Sequence, residues 1–432
     1  MRALVIDHFF GQDIAAMRAA LVPDEELRSL HYGVLRAEAL RVFPPEVAVG
    51  LGGMSTPAFA AGRPRWAARL ARLLDDEFAA WPFDAVVLPS DLFFYVRDLP
   101  AACERLGVPM LVIQKETTLS PATVERLSAS IARHAPFQSG AMTVCSERQR
   151  AFWVRAGAPP ERLTITGQPR FDVYGAEPPP RPAGRTPRAL FFSYLVHAYH
   201  PSGAAGDRAA PAWAQLHRQT EDGLLELARD GWEVVVKPHP QQDFARDAAR
   251  IAAESAGRLR VAAAGEDARA LIRDADVVVG FQTTALIESL AAGRPVVYTA
   301  WDPETQRVAG DLIPFHEWGD VLTVVERSDD LPGAVRAALG EPQRAPRRAA
   351  EIVEGYLGPV DGGAARRALD VVRRHVDAAA ERRSPAVERR RAALRGRGRR
   401  LRVARRGLRT ARRLTTGAID HRLRRRGGPD PG

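Results

Sequence analysis

Two series of short apolar runs, each alternating with amphipathic segments, dominate this sequence. The first series contains five runs that predict β-strands: ALVID (3–7), DAVVLPS (84–90), PMLVIQ (109–114), AMTVC (141–145) and RLTIT (162–166). Such alternation is typical of a parallel sheet covered by helices on both faces. The sequence therefore predicts a doubly wound α/β domain over residues 1–173.

The proline-rich segment YGAEPPPRPAGRTP (174–187) is unsuited to a helix or a central strand and predicts an interdomain linker. After it the alternation resumes, with predicted strands at 188–195, 232–237, 259–263, 275–281 and 295–299. A second doubly wound domain is therefore expected over residues 188–360. Ligands of such sheets bind outside the carboxyl ends of the strands, so a cleft between the two domains is the expected site.

Charge is distributed unevenly along the chain. The total of 62 basic and 52 acidic residues gives a net charge of +10. Residues 381–432 contain 19 arginines and four acidic residues, a net charge of +15, which leaves −5 for residues 1–380. We predict a return helix at 361–380 and an Arg-rich tail at 381–432. A mildly acidic body makes nucleic acid an unlikely partner, because nucleic-acid binders usually present a basic folded face.

Within the predicted tail, Leu394, Leu401 and Leu408 recur every seven residues among arginines. If helical, this pattern resembles an interfacial membrane helix, so we expect the tail to bind an anionic membrane surface. The chain begins with a strand-like run and contains no apolar stretch of the roughly 20 residues that span a bilayer. Cys103 and Cys145 have no metal-ligand spacing. A cytoplasmic protein, peripheral at the inner face of the cell membrane, is expected.

Lysine is almost absent, since only Lys115 and Lys237 accompany 60 arginines. Each lysine follows a predicted strand, one in each domain, so both are expected in the cleft. Lys237 is followed by Pro-His-Pro, in which two prolines stiffen the turn around His239. A lysine and a histidine held together suit a phosphate, or protonation of a leaving phosphate oxygen. The alternative is a tight turn with a structural histidine.

A second group of candidate residues lies in DADVVVGFQTTALIESLAAGRPVVYT (274–299). Free amides and the dipole at a helix start favour a phosphate, and a glycine permits close approach of a ligand. These features mark Gly280, Gln282, Thr283 and Thr284, and Glu288 lies one helical turn further on, where it could accept hydrogen bonds from a ribose. The alternative is an N-capped helix with an exposed glutamate.

Three segments follow one another along the chain: residues 146–172, VVVKPHP and GFQTTALIESLAAGRPVVY. Taken in this order, they resemble the carboxyl-terminal half of GT-B-fold transferases of bacterial surface-polymer synthesis. The nearest families are the CDP-glycerol glycerophosphotransferase-like and capsule polysaccharide proteins. The resemblance implies two Rossmann-like domains, with His239 and Lys237 at the donor phosphates or leaving group. It also implies diphosphate binding by Gln282, Thr283 and Thr284, and ribose binding by Glu288. Bacterial sialyltransferases and UDP-GlcNAc 2-epimerases have related arrangements.

Candidate bases in the first domain are the residues at predicted strand ends: Asp7, His8, Asp91 and Glu116. Of these, His8 and Asp91 are favoured as the catalytic base that would take a proton from an acceptor hydroxyl. The loop 197–207 carries a histidine pair without a third ligand, so no metal site is predicted. No separate cofactor is expected, because a nucleotide-activated donor is a substrate.

The main functional prediction is a transferase that moves a glycosyl or glycerophosphoryl unit from a nucleotide-activated donor to a surface-polysaccharide or lipid-linked acceptor. One alternative is a nucleotide-sugar 2-epimerase of the same fold, which needs acid and base groups but no acceptor. The other is a nucleic-acid-binding protein acting through the Arg-rich tail.

Overall fold

The structure is a computed structural model that describes residues 1–115, 120–176, 184–194, 204–239, 244–263 and 265–400. Two six-stranded sheets form the cores of two α/β domains, and every strand pairing in them is parallel. The predicted fold class, two doubly wound Rossmann-like domains, is thus confirmed.

The N-terminal sheet has the strand order β2-β1-β3-β4-β5-β6. Its strands are β1 (Arg2–Asp7), β2 (Glu26–His31), β3 (Ala85–Leu88), β4 (Met110–Ile113), β5 (Ala141–Val144) and β6 (Leu163–Ile165). The helices of this half are α1 (Gly11–Ala19), α2 (Tyr32–Ala39), α3 (Pro57–Ala80), α4 (Leu99–Glu104), α5 (Pro121–His134) and α6 (Glu147–Arg155). Strand β2 was not predicted. It is an edge strand in which only Leu27 is buried, and its sequence ELRSLH has no β-branched residue.

The C-terminal sheet has the strand order β12-β11-β10-β7-β8-β9. Its strands are β7 (Arg188–Phe192), β8 (Glu233–Lys237), β9 (Leu259–Val261), β10 (Val277–Gly280), β11 (Val296–Thr299) and β12 (Thr323–Val325). The helices are α7 (Ala204–Arg229), α8 (Phe244–Glu254), α9 (Ala268–Asp274), α10 (Thr284–Ala291), α11 (Pro303–Arg307), α12 (Leu331–Ala338) and α13 (Pro346–Leu357). Read from β9, this is the Rossmann order, and the chain reverses direction across the sheet between β7 and β10. In the N-terminal sheet the same reversal lies between β1 and β3.

Helix α14 (Ala364–Glu381) returns from the C-terminal half to the N-terminal sheet. Its residues Ala368, Leu369 and Val372 are buried in one cluster with Val5 and Ile14. This contact covers the face of the N-terminal sheet opposite α3. Helix α14 therefore packs on the N-terminal sheet.

Residues 385–400 form a further helix, α15, which packs on α3. Leu394 is buried in the core cluster that includes Phe78, and the Arg391 guanidinium lies over the Phe78 ring, 4.8 Å from its centroid. The Arg391 side chain is 1% exposed and donates a 2.9 Å hydrogen bond to the Leu106 carbonyl. The predicted tail therefore does not begin at residue 381, because its first part belongs to the folded N-terminal domain. The rest of it, 401–432, lies outside the described residues.

None of the helices that the structure describes combines the length and the apolar character needed to cross a membrane.

Candidate active site

The end of β8 carries the first pair of predicted residues. Lys237 is the last residue of this strand, is 8% exposed, and its Nζ donates a 2.8 Å hydrogen bond to the Ala263 carbonyl beyond β9. Burial lowers the pKa of Lys237, while Glu266 and Asp267 act in the opposite direction. His239, two residues later, is half-buried, and burial lowers its pKa. The lysine thus links the ends of β8 and β9 beside a histidine at the edge of the sheet.

The start of α10 carries the second group. Thr283 caps this helix, because its Oγ1 accepts a 3.3 Å hydrogen bond from the amide of Ala285. Thr283 and Thr284 are both partly exposed, so these two residues reach an accessible surface. At Gly280, a Cβ atom would lie 3.0 Å from Cδ2 of Leu286. The glycine makes room for the helix that follows it.

Gln282 does not face this surface. It is 2% exposed, its Nε2 donates to the Tyr298 hydroxyl at 2.9 Å and to the Ile313 carbonyl at 3.0 Å, and its Oε1 accepts from the Ile313 amide at 2.9 Å. Because these contacts occupy the amide group, Gln282 holds the loop at Ile313. Gln282 is therefore not a candidate for binding the diphosphate.

Glu288 lies one turn along α10 from Thr284, half-buried. Its Oε2 accepts a 2.8 Å hydrogen bond from the hydroxyl of Tyr174, which belongs to the connection between the domains. Burial raises the pKa of Glu288, and the positive charges of Arg170 and Arg269 oppose that shift. The carboxylate is therefore oriented by a tyrosine and flanked by two arginines.

In the N-terminal domain His8 follows β1. Its Nδ1 lies 2.8 Å from the Tyr95 hydroxyl, and its ring stacks on Tyr32 with centroids 4.0 Å apart. Burial, followed by the charge of Lys115, lowers the pKa of His8 from 6.5 to about 4. The Nζ of Lys115 is 5.4 Å from the centroid of the Phe9 ring. The structure therefore brings His8 and Lys115 together at the carboxyl edge of the N-terminal sheet.

Asp91 is not at this surface. Its side chain is fully buried, and its Oδ2 accepts hydrogen bonds from the Ser139 hydroxyl at 2.8 Å and from the Gln138 amide at 3.3 Å. These contacts tie the segment after β3 to the segment before β5. Because a buried carboxylate of this kind supports the fold and faces no substrate surface, we do not retain Asp91 as a candidate base.

The two carboxyl edges approach each other. Gln12, at the start of α1, donates a 3.1 Å hydrogen bond from its Nε2 to Asp267, the residue that caps α9. Arg269 donates a 2.8 Å hydrogen bond to the carbonyl of Arg170 in the interdomain connection. The carboxyl edges of the two sheets therefore lie close together, and ligands of doubly wound sheets bind at such edges.

Several residues of this surface were not predicted. They are Tyr32, Tyr95, Arg170, Tyr174 and Arg269. Arg170 and Tyr174 lay inside segments singled out in the sequence for other reasons, and the other three approach the site through tertiary packing. The candidate base Glu116 and the loop histidines His197 and His200 lie outside the described residues. Across the described ranges, no group of three or more His, Cys, Asp or Glu side chains is placed to bind a metal ion.

Comparison with solved structures places this fold among known proteins. The chain is similar to a candidate UDP-N-acetylglucosamine 2-epimerase from Listeria monocytogenes, with 13% identity, 87% of this chain and 96% of that chain covered, and a TM-score of 0.51. It is similar to a UDP-GlcNAc 2-epimerase from Neisseria meningitidis bound to UDP-GlcNAc, with 12% identity, 87% and 100% coverage, and a TM-score of 0.50. No family model and no curated protein matches the chain.

These similarities, together with the two sheets and their facing edges, define a GT-B-type fold. At 12–13% identity they establish the fold alone. The predicted resemblance to the CDP-glycerol glycerophosphotransferase-like family is supported only at the level of this fold.

Proposed function

We propose that this protein binds a nucleoside-diphosphate sugar in the cleft between its domains. The diphosphate would lie at the start of α10 beside Thr283, Thr284 and His239, and the ribose at Glu288. The observation that carries the proposal is the placement of Glu288: an oriented carboxylate, one turn beyond the helix cap, flanked by two arginines. A carboxylate there can accept hydrogen bonds from ribose hydroxyls, while the positive end of the helix dipole favours a phosphate at the start of α10.

For the reaction we favour epimerisation at C2 of a UDP-linked amino sugar. The two structural neighbours described above are named for this reaction, and one of them is bound to UDP-GlcNAc. Inversion at a carbon requires a base that removes a proton and an acid that returns one. His8, whose Nδ1 lies 2.8 Å from the Tyr95 hydroxyl at the carboxyl edge of the N-terminal sheet, is the candidate for one of these two groups in the described part of the N-terminal domain.

The test is incubation of the protein with UDP-GlcNAc in D2O, followed by NMR. Epimerisation predicts incorporation of deuterium at C2 and appearance of the manno epimer, both lost in a Glu288→Gln variant under limiting substrate. A protein that binds UDP-GlcNAc and leaves C2 unexchanged would contradict the epimerase assignment while leaving the binding proposal in place.

A transferase is the second candidate, moving a glycosyl or glycerophosphoryl unit to a surface-polysaccharide or lipid-linked acceptor. The observation that favours it is the aromatic group around His8: Tyr32 and Phe93 lie against the imidazole, and Phe9 is 76% exposed. Aromatic faces of this kind suit a second, ring-bearing ligand. A transferase predicts release of free nucleotide only when an acceptor is present.

A thermal-shift panel of CDP, UDP, GDP and dTDP would identify the nucleotide base, since a ligand at about 100 times its Kd stabilises the fold by about 2.7 kcal/mol.

We also propose that residues 401–432 contact an anionic membrane surface. This segment contains ten arginines and two acidic residues. Basic residues near an anionic bilayer contribute about 1 kcal/mol each, and the interaction is screened by salt. If the protein is a transferase, such an attachment would hold a cytoplasmic enzyme near its lipid-linked acceptor.

A further inference from the structure

The turn between β1 and α1 gives two consecutive phenylalanines opposite environments. Phe10 is fully buried in the same cluster as Ile14, whose amide donates a 3.0 Å hydrogen bond to the Phe10 carbonyl. On the other side of the turn, Oδ1 of Asp7 accepts a 3.1 Å hydrogen bond from the Phe10 amide. Phe9, between these fixed residues, is 76% exposed. The turn thus holds one phenyl ring in the core and the other in solvent.

The backbone of Phe9 is strained. Its φ is +51°, in the left-handed region that bulky residues rarely adopt, because the Cβ atom then crowds the following carbonyl oxygen. A glycine would occupy this position without that cost. Exposure of the phenyl ring to water adds a second cost. Residues held in such conformations are concentrated at functional sites, so the position of Phe9 decides what the strain indicates.

The ring of Phe9 lies among residues at the carboxyl edge of the N-terminal sheet. Its centroid is 5.8 Å from that of Tyr32, which directly follows β2, and 5.4 Å from Nζ of Lys115, which lies two residues after β4. In the sheet, β2 and β4 stand on either side of β1 and β3, between which the chain reverses direction. Ligands of doubly wound sheets bind at such a point.

The helix that follows Phe9 reaches the proposed nucleotide-sugar site. Gln12, three residues after Phe9, makes the 3.1 Å hydrogen bond to the residue that caps α9 in the C-terminal domain. Oδ2 of Asp13 lies 3.8 Å from Nη1 of Arg170, one of the two arginines that flank Glu288. Phe9 and the proposed ribose site are therefore connected through the first turn of α1.

We propose that Phe9 is a platform on which the sugar ring of the nucleotide sugar packs. A pyranose presents C–H groups on its faces, and such an apolar face can pack on an aromatic ring while the hydroxyls at the rim keep their hydrogen bonds. The bound sugar would cover the phenyl ring and remove it from water. The inference rests on the proposed nucleotide-sugar site and adds to it a residue that contacts the sugar.

The experiment measures binding of UDP and of UDP-GlcNAc to the full chain and its variants by calorimetry. Phe9→Ala should weaken UDP-GlcNAc binding about fivefold, the loss of one aromatic contact, and leave UDP binding unchanged. Phe9→Tyr should retain the affinity, because it keeps the ring. Phe9→Gly should bind UDP-GlcNAc as weakly as Phe9→Ala but unfold at a higher temperature than Phe9→Ala, because glycine adopts the left-handed backbone without strain.

Val49→Ala is the matched control. Val49 is 73% exposed and lies between two short 3-10 helices of the same domain, Pro45–Ala48 and Leu51–Ser55. The substitution removes exposed apolar surface and leaves the turn at Phe9 intact. This variant should bind UDP and UDP-GlcNAc like the unaltered protein.

The outcomes separate this inference from the proposed function. If the unaltered protein binds UDP and Phe9→Ala binds UDP-GlcNAc as tightly as the unaltered protein does, the platform is overturned while the nucleotide site stands. If Phe9→Ala weakens UDP and UDP-GlcNAc equally, Phe9 only supports the turn, and the platform is again overturned.

A third arm adds the methyl glycoside of N-acetylglucosamine to the protein saturated with UDP. If Phe9→Ala weakens binding of this glycoside and leaves UDP-GlcNAc binding unchanged, the ring serves an acceptor sugar, and its assignment to the nucleotide sugar is overturned. If the unaltered protein binds no nucleoside diphosphate, the proposed function fails and this inference falls with it.

Discussion

The hydroxyl of Tyr174 donates a 2.8 Å hydrogen bond to Oε2 of Glu288, which joins the interdomain connection to the helix of the proposed nucleotide site. Tyr174 is 6% exposed and packs in the core of the C-terminal domain. The proposed nucleotide site therefore lies beside the segment at which the two domains meet.

Glu288→Gln should weaken UDP binding by about 1–3 kcal/mol, because a charged acceptor for the ribose is lost. Tyr174→Phe should have a smaller effect, since the carboxylate remains and only its orientation is released. Calorimetry gives both affinities, and thermal unfolding provides the control for the fold. Unchanged UDP affinity in Glu288→Gln would mean that Glu288 serves only the contact with Tyr174.

Gln282→Ala should lower the free energy of unfolding by about 1–3 kcal/mol, because it leaves the Ile313 amide and carbonyl without their partner. UDP affinity measured on the folded variant should stay the same. Urea unfolding and calorimetry together make the test. A variant of normal stability that binds UDP weakly would return Gln282 to the phosphate site.

Because of its lowered pKa, His8 should cause the free energy of unfolding to fall in mild acid. Its pKa is lowered from 6.5 to about 4 in the folded state, so between these pH values the unfolded chain takes up a proton that the folded chain does not. Stability associated with His8 is fully present above pH 6.5 and is lost as the pH falls towards 4. Urea unfolding at pH 7.5 and pH 5 should show a smaller loss in His8→Gln than in the unaltered protein. Equal losses would mean that His8 titrates alike in both states.

A chain that ends at residue 380 should be markedly less stable than one that ends at residue 400. The shorter chain lacks Arg391 and Leu394, which pack on α3. Loss of a buried leucine alone typically lowers the free energy of unfolding by about 2 kcal/mol or more. The longer chain should unfold like the full protein and lose salt-sensitive binding to anionic vesicles. Thermal unfolding and vesicle sedimentation measure the two effects. Full stability of the chain that ends at residue 380 would contradict the assignment of residues 385–400 to the folded domain. Undiminished vesicle binding by the chain that ends at residue 400 would contradict the membrane role of residues 401–432.

The fold could be predicted because its signals are local. Apolar runs such as VVVK and VVVG, separated by amphipathic segments, have the period and length of buried parallel strands, and the structure places β8 and β10 there. The signal failed at β2, since an edge strand with one buried residue has no apolar run to detect. It also failed at residues 385–400, where composition alone indicated a free basic tail.

Sequence alone placed Lys237, His239, Thr283 and Glu288 at strand ends and a helix start, because those positions depend on neighbours in the chain. It could not decide which polar groups face the cleft. Asp91 and Gln282 follow strands just as His8 does, yet their partners come from residues 138–139 and 313, and burial turns both into structural groups. Arg391 was likewise assigned to the Arg-rich tail, and its burial depends on Leu106 and Phe78, about 300 residues away. The free energy of a polar side chain depends on the groups that surround it after folding, and only the tertiary structure supplies them.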